Sequence, residues 1–201
     1  VPIRGIDVVD DRAPEHGALL QRLGFEAARW FTTLERDLAA PGPDGPAVPT
    51  GLVVEPFDAA RSEPVRAARN AAFADHWGSQ PTSREGWEST IGLPSFRGDL
   101  SRIAWDGDTV AGFVIAEVNE DDWERQGARS GYIGLVGTVR AHRGRGLAGA
   151  LLAAVLAAFR REGLECAVLD VDTDNPTGAL GVYTRLGFAP TARDVAYRIA
   201  Y

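Results

Sequence analysis

The sequence predicts an α/β (α+β) protein with a mixed, mostly antiparallel central sheet that is flanked by helices. Three successive segments have a strand pattern, and an Asp-Gly turn joins the first two, which indicates neighbouring antiparallel strands. After them, helical and strand patterns alternate. The full order is one strand, two helices, three strands, and then helix, strand, helix and strand. A sheet with this order is expected to be mixed.

The predicted strands show alternating polarity or are rich in β-branched and aromatic residues. They are residues 52–56, 101–105, 110–118, 132–139, 166–172 and 191–201. In the helices, apolar residues recur at helical spacing; a proline begins the first, Thr82 or Ser83 caps the second, and Gly163 closes the third. They are residues 64–76, 82–91, 147–161 and 177–186. Residues 120–129 are highly charged, and we expect a solvated connection there.

The composition of the 201 residues, 45% hydrophobic and 24% charged, is that of a globular protein and excludes disordered and fibrous classes. The longest uncharged apolar stretch, residues 146–159, is too short to span a bilayer, and no signal-peptide pattern is present. We therefore expect a cytoplasmic protein without a membrane partner. The single cysteine, Cys166, excludes an internal disulfide, and with three histidines no metal site is predicted.

The charged residues narrow the classes of ligand. A net charge of −7 argues against a nucleic-acid partner, because phosphate backbones require a basic face. The sequence contains no lysine, which excludes a P-loop lysine, a Schiff-base enzyme and a lysine general base. A small cationic substrate is compatible with this charge, and a homodimer is left open.

A short internal repeat suggests that the chain contains parts of two related units. The sequence Arg-Leu-Gly-Phe occurs at residues 22–25 and again at residues 185–188, each time between a helical pattern and strand formers. Chance is the alternative to a tandem duplication. Residues 39–50, with four prolines and two glycines, are predicted to be a linker. We therefore expect residues 1–38 to be the tail of an upstream copy that supplies no chemistry, and residues 51–201 to be a complete domain.

The turn before the predicted helix at residues 147–161 is rich in glycine and arginine. Gly144 and Gly146 lie where the helix begins, so that its unpaired N–H groups are accessible, and the helix dipole favours an anion. Arg143 and Arg145 add charged donors. Phosphate oxygens fit such a site, and tight packing of the turn is the alternative.

Gly144, Gly146 and Gly149 also fit the Gly-x-Gly-x-x-Gly pattern of dinucleotide-binding oxidoreductases. Asp170 lies at the end of the next predicted strand, where that fold has a ribose-binding acid. The dinucleotide fold, however, places its glycines after the first strand and needs several further parallel strand–helix units. Because two strand patterns follow Gly149, the topology argues against this alternative.

Two motifs resemble the signatures of the GNAT superfamily of acyl-CoA-dependent N-acetyltransferases. The first is Arg or Gln, two residues, Gly, one residue, and Gly or Ala, and residues 143–148 match it. The second is an asparagine followed by a helix that carries a tyrosine, and Asn175 and Tyr183 match it. The resemblance covers residues 51–201. More narrowly, the chain is similar to the C-terminal part of tandem GNAT proteins of the mycothiol synthase type.

The resemblance implies acetyl-CoA as co-substrate, bound where the fourth and fifth strands splay apart in the family. Backbone N–H groups would hold its pyrophosphate, namely those of Arg143, Gly144, Arg145, Gly146, Leu147 and Ala148. The pantetheine would pair with the strand at Gly137, Thr138 and Val139. Asn175 would contact the cofactor, and Tyr183 would give a proton to the departing thiolate.

The resemblance also implies transfer of the acetyl group to a small or peptide-like primary amine by direct attack in a ternary complex. Many members have a glutamate on the fourth strand as general base, and this sequence lacks it; Glu117, Asp170 and Asp172 are the remaining candidates. The acidic run that begins at Glu117 favours a cationic acceptor. The alternatives are a non-catalytic acetyl-CoA-binding module and, against the topology, a dinucleotide-binding oxidoreductase.

Overall fold

The computed structural model describes residues 3–11, 13–41, 45–74, 76, 79–173 and 178–200, with the backbone alone for residues 3–7 and 200. The strands are β1 (Ile3–Asp10), β2 (Glu26–Asp37), β3 (Val53–Glu55), β4 (Arg102–Asp106), β5 (Thr109–Glu117), β6 (Ser130–Thr138), β7 (Cys166–Asp172) and β8 (Ala189–Ala200). The helices are α1 (Pro14–Arg22), α2 (Ser62–Ala72), α3 (Arg84–Ile91), α4 (Trp123–Gln126), α5 (Leu147–Glu162) and α6 (Ala179–Arg185).

The strands form a mixed sheet in the order β1-β8-β2-β7-β6-β5-β4-β3. Neighbouring strands pair antiparallel, except that β6 and β7 run parallel. One apolar core contains a stripe of α5 whose apolar residues recur at the predicted helical spacing, and another contains apolar residues of α2 and α3. The α5 stripe is at most 1% exposed at Leu147, Leu151, Val155 and Phe159. The predicted fold class is confirmed.

The parallel pair of β6 and β7 opens after three residues. Residues 130–132 pair with residues 166–168, and beyond them no strand of the described chain pairs with this edge of β6. The other edge of β6 stays paired with β5 and has a bulge at Gly134, because Ile133 and Leu135 oppose successive residues of β5. The splayed fourth and fifth strands that the sequence led us to expect are therefore confirmed.

The helices follow the sequence predictions with small shifts. Ser83 caps α3 by accepting a hydrogen bond from the Gly86 N–H (3.1 Å), and α5 ends at Gly163 with φ of +79°. The predicted helix at residues 64–76 is shorter and ends at Ala72. Among the described helices, none combines the length and the apolar character that a membrane span requires.

The connection between β5 and β6 is charged and largely exposed, which agrees with the predicted solvated connection. It contains α4, and the indole of Trp123 packs against the core. Its Nε1 donates a hydrogen bond to Ser130 O (3.0 Å) at the start of β6. The sequence prediction did not include this short helix or the tryptophan that anchors the segment to the core.

The segment ahead of the linker belongs to the same sheet as the rest of the chain. β2 lies between β7 and β8: it pairs with β7 from Phe31 to Asp37 and with β8 from Glu26 to Glu35. β1 pairs with the other edge of β8. Residues 51–201 therefore do not build the sheet alone, whereas the division of the chain into two copies stays a prediction.

Candidate active site

A cavity of about 1090 Å³ opens where β6 and β7 diverge. It is lined by β6, the turn before α5, the first turns of α5, the end of β7, and α6, with the end of α2 at one side. The predicted site residues that line it are Gly137, Thr138, Arg143, Gly144, Gly146, Leu147, Ala148 and Tyr183. Val139 and Arg145 do not line it, and Asn175 lies outside the described residues.

The glycine-rich turn before α5 presents a row of backbone N–H groups. Gly144 and Gly146 have φ of +73° and +79°, a left-handed conformation that favours glycine. Ala150 donates to Gly146 O (3.1 Å) and begins the helical hydrogen bonds. In the described part of the chain, no acceptor binds the N–H groups from Gly144 to Gly149. With the positive end of the helix dipole, this row suits a phosphate group.

The two arginines of the turn are held by the protein itself. Arg143 donates from Nε to Thr138 O (3.0 Å) and from Nη2 to Ala72 O (3.1 Å), which ties the end of β6 to the end of α2. Arg145 is exposed, and its Nη2 lies 3.5 Å from Thr50 O. Both guanidinium groups make the potential at the turn more positive. Direct contact between either arginine and a phosphate stays a prediction.

The edge of β6 that faces the cavity lacks a strand partner. Residues 133–138 line the cavity, and the pairing of this edge with β7 has ended at Tyr132. Gly137 carries no side chain on this part of β6, and a Cβ there would overlap the ring of Phe113. An unpaired strand edge of this kind can pair with the amides of an extended ligand.

The predicted linker contributes to the cavity wall. Pro46 lines the cavity and lies against the start of α5, where a Cβ on Gly149 would stand 3.0 Å from the proline Cγ. Gly45 lies so close to Ala153 of α5 that a Cβ would overlap its side chain. This segment is therefore packed on the helix that begins at the glycine-rich turn. No sequence pattern predicts this contact, because proline and glycine there are equally typical of a free linker.

Tyr183, the predicted acid, projects from α6 into the cavity. It is 7% exposed, and its ring packs edge-on against Phe188 with 6.1 Å between centroids. Its hydroxyl makes no hydrogen bond to any described residue. Burial raises the pKa of Tyr183 to about 12. The hydroxyl therefore keeps its proton at neutral pH.

Glu117, one of the three candidate bases, lies at the end of β5 beside the bulge of β6. Its carboxylate covers Gly134, where a Cβ would overlap it, and Gly134 lines the cavity. Glu117 makes no hydrogen bond or ion pair from its side chain to any described residue. Burial raises the pKa of its carboxyl above the ordinary glutamate value.

The other two candidates have partners on β2. Asp170 accepts hydrogen bonds from Thr33 Oγ1 (2.6 Å) and from the Tyr132 hydroxyl (2.9 Å). Asp172 forms an ion pair with Arg29, whose Nε lies 3.9 Å from Oδ2. Burial, followed by the nearby Asp170 charge, raises the pKa of Tyr132 far above its ordinary value, so this hydroxyl stays protonated. Both aspartates line the cavity.

Sequence reasoning missed several residues of the site. Phe31, Arg69 and His76 line the cavity although none belongs to a motif, and Arg185 lines it although the repeat at residues 185–188 is not predicted to be part of the site. Phe31 lies on β2, so residues 1–38 contribute to the lining, whereas the expectation that they supply no chemistry stays a prediction. These residues come from separate segments, and only the pairing of the strands brings them together.

A comparison with models of protein families identifies the family to which this chain belongs. The model of the acetyltransferase (GNAT) family matches residues 64–188, which include β6, the glycine-rich turn, α5, β7 and α6. The chain belongs to the GNAT family. The resemblance that the two motifs suggested is therefore confirmed, and a GNAT acetyltransferase is an acyl-CoA-dependent acyltransferase.

Individual relatives agree with this assignment. A mycothiol acetyltransferase of Brachybacterium faecium is 35% identical over 196 residues, which cover 91% of this chain and 57% of the relative. The crystal structure of a GCN5-related N-acetyltransferase from Sphaerobacter thermophilus has a TM-score of 0.77 and 25% identity, covering 96% of this chain and 58% of that one. A tandem GNAT protein from the clavulanic acid biosynthesis pathway shares the fold, with a TM-score of 0.65, 20% identity and coverage of 92% and 58%. This chain thus spans less than two thirds of the length of these relatives.

Proposed function

We propose that this GNAT protein moves an acetyl group from acetyl-CoA to a primary amine by direct attack in a ternary complex. One observation supports this most directly: the row of N–H groups, the unpaired edge of β6 and the hydroxyl of Tyr183 all face a single cavity. These are a site for phosphate, a site for amides and a proton donor. Acetyl-CoA carries a pyrophosphate, two amides and a thioester in that order along its length.

The fit of acetyl-CoA to this cavity follows from the backbone. The pyrophosphate would accept hydrogen bonds from the turn between Arg143 and Ala148. A ligand can approach the backbone closely at Gly144, because glycine has no Cβ and no other described residue fills the space there. The pantetheine amides would pair with β6 between Gly134 and Thr138. The thioester would then reach the bulge at Gly134, between β6 and β7. We propose that Asn175 also contacts the cofactor.

The chemistry requires one bond to form, one to break and two protons to move. The amine nitrogen attacks the thioester carbonyl, and the tetrahedral intermediate expels the CoA thiolate. Tyr183 protonates the sulfur, and a base takes the proton that the nitrogen releases. A pKa of about 12 keeps the Tyr183 proton in place until the thiolate forms, and the same burial raises the proton affinity of the sulfur.

Glu117 is the base that the geometry favours. Asp170 is engaged by two hydroxyl donors and Asp172 by Arg29, whereas the Glu117 carboxylate lies over the bulge where the thioester would end. A buried carboxylate with a raised pKa binds a proton more readily than an exposed one. We therefore propose that Glu117 accepts the proton from the attacking amine, directly or through a water molecule.

The acceptor is proposed to be a small or peptide-like amine rather than a nucleic acid. The acidic groups around the opening, Glu117, Asp170 and Asp172, favour a substrate that approaches as a cation. Relatives are named mycothiol acetyltransferases, so a thiol-containing amine metabolite of that kind is a proposed acceptor class. We further propose a cytoplasmic enzyme whose first strands derive from a tandem repeat; a homodimer is left open.

The test is to incubate the chain with acetyl-CoA and a set of primary amines and to follow the release of free thiol. Amine-dependent thiol release supports the proposal. Binding of CoA in calorimetry without turnover of any amine would instead indicate a non-catalytic binding module. Tighter binding of NAD than of CoA would favour the dinucleotide alternative and refute acetyl transfer.

A further inference from the structure

Asp170 stands at the point where the cavity closes between β6 and β7. Tyr132 and Val168 form the last paired position of these strands, and Asp170 is the next residue of β7 on the same face as Val168. Across the opening, Gly134 is the residue of β6 at which the bulge occurs. Asp170 therefore faces the place where the proposed function puts the thioester.

The orientation of Asp170 is fixed from both sides. Tyr132 on β6 donates to one carboxylate oxygen (2.9 Å), and Thr33 on β2 donates to the other (2.6 Å). Thr33 also pairs with Asp170 along the backbone of β2 and β7. Because each carboxylate oxygen has two lone pairs, one on each oxygen stays available to a donor in the cavity.

An attacking amine needs such an acceptor. Its lone pair must face the carbonyl carbon, so its N–H groups must point toward hydrogen-bond acceptors on the other side. Asp170 lines the cavity and supplies such an acceptor from β7, and the Glu117 carboxylate lies against Gly134, which also lines the cavity. A carboxylate also attracts the ammonium form in which most amines arrive at neutral pH.

We propose that Asp170 binds the reacting nitrogen of the acceptor, and that Thr33 is a positioning residue that orients Asp170 for it. This inference rests on the proposed acetyl transfer. It assigns part of the acceptor site to β2, the segment that precedes the linker. The acceptor site is thus completed by a part of the chain that lies outside residues 64–188, the range that the family model matches.

The experiment compares Thr33→Val with two controls in the full chain. Thr33→Val keeps a β-branched side chain on the strand and removes only the hydroxyl. Thr33→Ser keeps the hydroxyl. Thr32→Val makes the same change one residue earlier, where the hydroxyl contacts Thr173 Oγ1 (3.2 Å) instead of Asp170. The probes are 1-aminobutane, benzylamine and 1,4-diaminobutane with acetyl-CoA, and the readouts are KM for the amine, kcat, CoA affinity and melting temperature.

We expect Thr33→Val to raise KM for the amine about tenfold, as for a lost hydrogen bond to a charged group, with kcat and CoA affinity nearly unchanged. Thr33→Ser and Thr32→Val should keep the wild-type KM. An unchanged KM in Thr33→Val, or a parallel loss of CoA affinity and melting temperature, would overturn the role of Thr33. If the wild-type chain releases no thiol with any of the amines tested, the proposed function fails and this inference fails with it. A KM in Asp170→Asn that equals the wild-type value would overturn the role of Asp170 alone.

Discussion

The two ends of the cavity are built in different ways. The end proposed for the cofactor is built mainly from one continuous stretch, residues 133–149, in which β6, the turn and α5 follow one another, with Pro46 packed beside it. At the end proposed for the acceptor, Asp170 of β7 lines the cavity, Tyr132 of β6 and Thr33 of β2 donate hydrogen bonds to its carboxylate, and Glu117 of β5 lies against Gly134. A ligand shared by a whole family can thus be bound by local sequence, whereas the acceptor site depends on which strands become neighbours.

The strongest test of this comparison is to remove residues 1–50, which carry β2 of the acceptor end and also Pro46 of the cavity wall. In a chain that begins at Gly51, β7 and β8 lose β2, which pairs with both. Because the middle of the sheet would then be open, we expect loss of cooperative folding and of CoA binding, measured by thermal unfolding and calorimetry. A chain from Gly51 that folds and binds CoA would instead support the sequence prediction of a complete domain at residues 51–201.

At the boundary between the two ends, Tyr183→Phe removes the hydroxyl group, and with it the proton to be donated, and keeps the ring packed against Phe188. We expect kcat to fall by about 10² to 10⁴, the range for a lost general acid, while CoA affinity and melting temperature stay near their wild-type values. Steady-state kinetics with thiol detection checks the first value. Turnover at the wild-type rate would reassign Tyr183 to packing.

On the acceptor side, Glu117→Gln tests the proposed base through pH. Burial raises the pKa of the Glu117 carboxyl, so the base is protonated, and kcat/KM lost, as pH falls through that raised value. Glu117→Gln should lack this acidic limb and have a lower rate at every pH.

The folded state binds the Glu117 proton more tightly than the unfolded state, so the ionised group disfavours folding at neutral pH. We therefore expect the melting temperature of Glu117→Gln to be no lower than that of the wild-type chain. In the pH profile of kcat/KM, an acidic limb that persists in this variant would identify another base.

On the cofactor side, Ala148→Glu places a carboxylate in the first turn of α5, beside the row of N–H groups. The charge repels a pyrophosphate but suits the helix dipole, so we expect CoA affinity to fall about tenfold without loss of melting temperature. The matched control, Ala157→Glu, makes the same change farther along α5. Equal CoA affinity in both variants would place the phosphates elsewhere.

The sequence predicted the cofactor end far better than the acceptor end. The order of elements follows from periodicity, the turn from Arg143 to Ala148 from a local motif, and the splayed strands from the family resemblance that the motifs carry. The position of β2 between β7 and β8 could not be predicted, because strand formers reveal a strand but not its partners. Thr33 and Phe31 remained invisible for the same reason. The Pro46 contact depends on where the segment after residue 44 lies, and composition does not encode that.

The place of β2 also governs how the protein can fold. β2 has native partners only in β7 and β8, and these strands follow it by most of the length of the chain. The sheet therefore cannot close around β2 until the ribosome has made nearly all of this sequence, and the loop that must close is long. Until then both edges of β2 are unpaired, which exposes the nascent chain to association with other strands. We therefore expect slow refolding as well, because the same long loop between β2 and its partners must close before the acceptor site is complete.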